Sequence, residues 1–179
     1  MHGPRSSSIS WATHTPTLSF HGVSPAESTQ GKKRCRDLRT PPDILPAMII
    51  GIGVDIVDTQ EFRRLVDSEK EPFLNRIFTS AEISYAKAAA DPYQRLAARL
   101  AGKEAALKAL GTGWTDEVDW HNLEIANDEM GKPELAFSGG ARTRFQELNC
   151  RRAWLTMSHT TAFCIAQVVL EAQETDCGT

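Results

Sequence analysis

The sequence predicts an α+β fold, a mainly antiparallel sheet with packed helices, and three observations carry that expectation. The segment Asp91–Gly111 holds a full set of start and stop signals for one long helix. Two β-rich runs, Ala153–Met157 and Ala162–Leu170, are joined only by Ser158-His159-Thr160-Thr161. The run Asn122-Leu123-Glu124-Ile125-Ala126 alternates as a half-buried strand before the turn Asn127 to Pro133 and a second run, Glu134–Phe137, so a hairpin is expected. Antiparallel neighbours with helices set among them are the signature of this class.

The elements are taken in chain order. Residues 1–47 are rich in Ser, Thr, Pro and His, contain Lys32-Lys33-Arg34, and lack apolar periodicity. They are expected to form a disordered extension, or to reflect a start placed upstream of the true first residue, Met48. Met48–Val54 reads as a first strand. Thr59 is expected to cap a helix through about Ser68, although its Thr-x-x-Phe pattern lacks a capping-box acid. Thr79, with Glu82 three positions on, starts a second helix running toward Ala90. In the long helix Asp91 is the cap, Pro92 the first helical residue and Gly111 a left-handed stop.

Along that helix Leu96, Leu100, Leu107 and Leu110 form one stripe, which is expected to face inward. Arg95 and Arg99 flank one edge; Glu104 and Lys108, four apart and within mutual reach, flank the other. Lys103 falls inside the stripe, so either it snorkels or the core opens there onto a polar cleft. Gly111-Thr112-Gly113 is too short for a phosphate-binding loop and reads as a helix stop. Gly139–Leu148 reads as a short helix with Ala141, Phe145 and Leu148 on one side, ahead of the two final strands. Residues 48–174 thus form one domain, with 175–179 as a tail.

Composition bounds the function. With 179 residues, 41% of them apolar, the chain has material for one cored domain. Six Lys/Arg face three Asp/Glu in residues 1–47, against fourteen facing twenty in residues 48–179, so the folded part is acidic. It lacks the broad basic surface that nucleic-acid binding needs, and phosphate recognition has to be local. Cys35, Cys150, Cys164 and Cys177 have no ligand-like spacing and read as free thiols in a reducing compartment. No apolar run approaches a membrane span or a secretory core, and a cytoplasmic protein without membrane contact is expected.

The chemistry is expected around two acids. Asp55 interrupts the apolar run Gly51-Ile52-Gly53-Val54-Asp55-Ile56-Val57, and a carboxylate in such a strand calls for a cation. Glu104 is the second. Two carboxylates with lysines nearby suit a magnesium ion shared with a diphosphate, since magnesium takes few protein carboxylates and completes its shell with water and phosphate oxygen. Taken singly, each residue has a plainer reading: Asp55 as a helix cap or lysine partner, Glu104 as an intrahelical partner of Lys108, His159 as a hydrogen-bonded turn residue.

Together the motifs read differently. Ile50-Gly51-Ile52-Gly53-Val54-Asp55-Ile56-Val57, Arg76-Ile77-Phe78-Thr79-Ser80-Ala81-Glu82, the stretch Arg99 to Gly113 with Lys103-Glu104 and Lys108, Asn127-Asp128 with Gly131-Lys132-Pro133, and Met157-Ser158-His159-Thr160 occur in an order that resembles the holo-[acyl-carrier-protein] synthase family, small single-domain 4′-phosphopantetheinyl transferases. The resemblance spans nearly all of residues 48–172. It implies transfer of the phosphopantetheine arm of coenzyme A to a serine of apo acyl carrier protein, with release of adenosine 3′,5′-bisphosphate, in support of fatty acid biosynthesis. It also implies Asp55 and Glu104 as magnesium ligands, Glu104 and Lys108 as catalytic, and Arg99, Lys103, Lys108 and His159 as coenzyme A contacts. A homotrimer with active sites at subunit interfaces is implied as well.

Serine attack on a diphosphate redistributes negative charge that magnesium and lysine can stabilise. The base is left open between Glu104 and a magnesium-bound hydroxide. Two positions depart from the family pattern. Gly102 stands where alanine or valine is common, at a helix cost of roughly 0.5–1 kcal/mol, and is expected to allow a close approach to ligand. Glu61 stands where a basic residue commonly meets the acidic carrier, with Arg63 and Arg64 nearby to supply that charge. The alternatives are a transferase serving polyketide or peptide synthetase carriers, which the single small domain disfavours, and a paralogue that binds coenzyme A or a carrier without transfer.

Overall fold

The computed structural model describes residues 47–113 and 117–173. The expectations for the segment preceding Met48 and for the tail at 175–179 lie outside the described residues. The elements run β1 (Ala47–Asp58), α1 (Thr59–Ile77), α2 (Ser80–Lys87), α3 (Pro92–Leu110), β2 (Leu123–Asn127), β3 (Pro133–Phe137), α4 (Gly139–Glu147), β4 (Cys150–His159) and β5 (Phe163–Gln173), with a 3-10 turn at Trp120–Asn122. Every strand pairing is antiparallel. One sheet has the order β1-β5-β4, and β2 and β3 form a second. The α+β class stands as expected.

Local chemistry sets most boundaries. Thr79 accepts a hydrogen bond from Glu82 N while the Glu82 side chain returns to Thr79 N, a complete capping box at α2. Asp91 accepts from Gln94 N to cap α3, Pro92 opens it, and Gly111 ends it at φ 71°, the left-handed region that suits glycine. The cap of α1 differs from expectation. Asp58, not Thr59, accepts from Gln60 N at 2.8 Å and Glu61 N at 2.9 Å. Helix α1 also runs past Ser68 to Ile77, with a break in helical geometry at Lys70 (φ 58°) just before Pro72. Proline at that point removes an amide donor and crowds the preceding turn.

Helix α3 is the hub, and it is buried on more than the leucine stripe. Leu96, Leu107 and Leu110 are buried, and so are Ala97, Ala98, Ala101, Ala105, Ala106 and Ala109. Arg95 and Lys108 are exposed and Glu104 is half-buried, so one edge of the helix reaches solvent while the rest is covered. Its C-terminal part packs with Val168 and Leu170 of β5 and with Leu123 and Ile125 of β2. Its N-terminal part joins Phe62, Phe73, Phe78 and Ala86 of the α1–α2 layer.

The contact between α3 and β1 is unusually close. A Cβ placed on Gly53 would overlap the carbonyl oxygen of Ala105, and one on Gly51 that of Ala109. Glycine is thus required by backbone-to-backbone proximity. Gly102 is explained by side-chain packing rather than by ligand approach: a Cβ there would lie 2.5 Å from Cδ1 of Ile125, so the glycine makes room for that side chain of β2 against the helix.

Gly53→Ala is therefore expected to lower stability by roughly 1–3 kcal/mol or more, the cost of forcing packed backbones apart. Urea denaturation of the two proteins checks this, and equal midpoints would contradict the contact.

Candidate active site

The strand and helix that meet at Gly51 and Gly53 bring three of the candidate site residues, Asp55, Glu104 and Lys108, together. Side chains alternate across β1: Gly53 is buried, Val54 exposed, Asp55 half-buried and Ile56 exposed. Asp55 therefore shares the helix-facing side with Gly51 and Gly53. It pairs across the sheet with the buried Ala166 of β5. On α3, Glu104 and Lys108 are one turn apart and beside Ala105 and Ala109, the residues that cover the two glycines.

The Lys108 ammonium donates to Asp55 Oδ1 at 2.8 Å and to the carbonyl of Val54 at 3.2 Å. Glu104 is half-buried, and its carboxyl is held above the usual carboxylate range by burial first and by the negative charge of Asp55 second, with Lys108 pulling the other way. Two acids and one ammonium thus act on one another in one place.

The other sequence-predicted residues are not brought to this cluster. Lys103 is fully buried, and its ammonium uses all three donors inside the protein: Glu82 Oε2 at 2.8 Å, the Ile77 carbonyl at 2.8 Å and the Trp120 carbonyl at 3.0 Å. It neither snorkels nor faces a cleft, and burial lowers its pKa. The second Glu82 oxygen accepts from Ile125 N at 3.0 Å, so this ion pair ties α2, α3 and β2 together. Removing one partner of such a pair costs roughly 3–5 kcal/mol. Lys103 is a structural residue.

Arg99 is also buried, at 2% exposure. Its guanidinium donates to Asn127 Oδ1 at 2.7 Å and lies 4.3 Å from the centre of the Tyr85 ring, and desolvation lowers its pKa. His159 ends β4, exposed, in the same cross-sheet row as Cys164 and Val57. Two strand spacings, about 10 Å, separate that edge from β1. Arg63 is held by Asp91 at 3.1 Å and stacks on Tyr93 at 4.6 Å, whereas Arg64 and Glu61 are exposed on α1.

Two partners escaped the sequence reading. Glu82 was visible as a capping-box acid, but nothing local signals that its carboxylate also holds Lys103. The Val54 carbonyl is a backbone acceptor with no side-chain signature.

The donor set fits a small hard divalent cation. Asp55 and Glu104 supply carboxylate oxygens, the repulsion between them is what such an ion relieves, and few protein ligands suit magnesium. Among the described residues no cluster of three or more His, Cys, Asp or Glu offers a protein-only metal cage.

Comparison with known proteins places this geometry. Residues 51–166 match the family model of the 4′-phosphopantetheinyl transferase superfamily. A holo-[acyl-carrier-protein] synthase of Koribacter versatilis is 43% identical over 124 residues, covering 69% of this chain and 99% of that relative. The holo-[acyl-carrier-protein] synthase structure from Neisseria meningitidis is similar with a TM-score of 0.64 at 36% identity, over 69% of this chain and 98% of that one. One from Bacillus anthracis, solved in complex with CoA (3′,5′-ADP), gives a TM-score of 0.59 at 36% identity, over 70% and 99%.

The raised Glu104 pKa sets a pH dependence. A carboxyl raised on folding contributes stability that is fully present below its unfolded pKa and lost as pH rises through the folded value. In chelator, Glu104→Gln is therefore expected to be more stable than the parent at pH 7. The difference should vanish at pH values below the ordinary glutamate range, where both side chains are neutral. Denaturant titrations across that span check it, and a variant less stable than the parent at pH 7 would contradict the repulsion.

Proposed function

The chain belongs to the 4′-phosphopantetheinyl transferase superfamily, and from that premise we propose that it acts as a holo-[acyl-carrier-protein] synthase, moving the 4′-phosphopantetheine arm of coenzyme A onto a serine of apo acyl carrier protein. The observation that carries this reading is the meeting of Asp55, Glu104 and Lys108 in one place, where β1 lies on α3.

The serine oxygen bonds to the phosphorus bearing the pantetheine arm, the bond from that phosphorus to the bridging oxygen breaks, and adenosine 3′,5′-bisphosphate leaves with that oxygen. The serine proton needs an acceptor. Glu104 is the carboxylate of this cluster that would take it, and a water held beside the acids is the other acceptor. Lys108 sets a positive charge against the diphosphate, stabilising charge that grows on the leaving group. Asp55 and Glu104 would hold magnesium, which when bound supplies Lewis-acid stabilisation of the phosphate oxygens.

The homotrimer is supported by the outer face of the three-stranded sheet, where Ile52, Val54, Ile56, Phe163 and Ile165 are each more than 40% exposed. A contiguous apolar face of this kind marks a protein interface. In such an assembly His159, remote from the acids of its own chain, would meet coenzyme A across a subunit boundary. Arg64 is the better candidate than Arg63 for meeting an acidic carrier, because Arg63 is committed to Asp91. Among the described residues no helix is long and apolar enough to cross a membrane.

Incubation with coenzyme A, magnesium and apo carrier is expected to raise the carrier's mass by one phosphopantetheine, and chelator should stop it. Asp55→Ala and Glu104→Ala should each lower the rate roughly a hundredfold or more, the scale of losing a preorganised charge-stabilising group. Mass spectrometry reads the outcome, and full conversion by either variant would overturn the assignment.

A further inference from the structure

Two lysines on α3, five positions apart, are held in opposite ways. Lys103 is fully buried with three acceptors and has no freedom to change partner. The Lys108 side chain is 38% exposed and sits on the very carboxylate expected to hold a metal, 2.8 Å from Asp55 Oδ1. An ammonium and a divalent ion cannot both occupy one small carboxylate without strong mutual repulsion. The Asp55 side chain is less open, at 17% exposure, but an ion pair that water reaches from the lysine side is held weakly, and the lysine stem is long and flexible.

The sign of the cluster's charge depends on the metal. Asp55, Glu104 and Lys108 together carry a net negative charge, which would oppose an incoming diphosphate. A divalent ion on the acids makes the same group net positive.

We propose that Lys108 is an exchangeable counter-ion, neutralising Asp55 until a divalent cation takes that carboxylate and then turning to the diphosphate, so that metal binding precedes coenzyme A binding. This rests on the reading of Asp55 and Glu104 as metal ligands. The Val54 carbonyl, 3.2 Å from the ammonium, is a second acceptor that keeps Lys108 near the site through the exchange. Lys108 is thereby a competitor of the metal in the free protein and a partner of the phosphates in the complex.

Calorimetric titration of the full chain separates these roles without reference to turnover. Lys108→Met should bind magnesium alone about two- to fivefold more tightly than the parent, the span set by the strength of an exposed ion pair. With saturating magnesium it should bind coenzyme A about tenfold or more weakly, the scale of a lost charged hydrogen bond. Coenzyme A should not bind measurably to the parent in chelator. Lys108→Gln provides a second variant, and circular dichroism confirms that each is folded. Asp55→Asn distinguishes the exchange from the metal assignment beneath it. If it loses magnesium while Lys108→Met and Lys108→Gln bind magnesium no more tightly than the parent, the exchange is overturned and the metal assignment stands. Unchanged magnesium affinity in Asp55→Asn overturns both, and coenzyme A binding by the parent in chelator overturns the order.

Discussion

The structure depends on the backbone-to-backbone contact between β1 and α3. Gly51 and Gly53 remove the side chains that would hold the strand away, and Ala105 and Ala109 leave their carbonyls to meet it. That contact sets the distance from strand to helix. The next residue on the same strand face is Asp55, and the neighbouring turn of the helix carries Glu104 and Lys108. A site made of one strand residue and two helix residues is only as well placed as the contact between its elements.

The same helix shows how a buried charge and a working charge are told apart. Lys103 is isolated from water, bonded three times over, and couples α2, α3 and β2 through Glu82. Lys108, five residues on, lies at the rim with solvent on one side. Identical side chains on one helix are thus held differently, one locked inside and one reachable at the surface, and their surroundings decide which. Glu104 belongs with Lys108: half-buried beside Asp55, it holds its negative charge against an opposing field, a state suited to a group that binds a cation or takes a proton.

What the sequence revealed divides along the same line. The ends of α3 were legible in Asp91, Pro92 and Gly111 because caps are local chemistry, and Thr79 with Glu82 announced α2 in the same way. The cap of α1 was misplaced by one residue because Asp58 and Thr59 are both good caps, and only the fold decides between them. The depth of α3 was hidden by its alanines, which carry little periodic signal yet are buried on several sides. Tertiary partners were not legible. Nothing near Lys103 points to Glu82, and Gly102 gives no sign that Ile125 will press on it. The family motifs named Asp55, Glu104 and Lys108, which the fold brings together, but also Arg99, Lys103 and His159, which it does not, while the plainer reading of Asp55 as a lysine partner matches its contact with Lys108.

The proposed chemistry requires one divalent ion gripped jointly by Asp55 and Glu104. Anomalous diffraction from crystals grown with manganese and coenzyme A addresses this most directly. The expected result is a single strong peak within coordinating distance of a carboxylate oxygen of both residues and of the diphosphate. A peak bound to one acid alone, or placed elsewhere on the molecule, would contradict the shared grip.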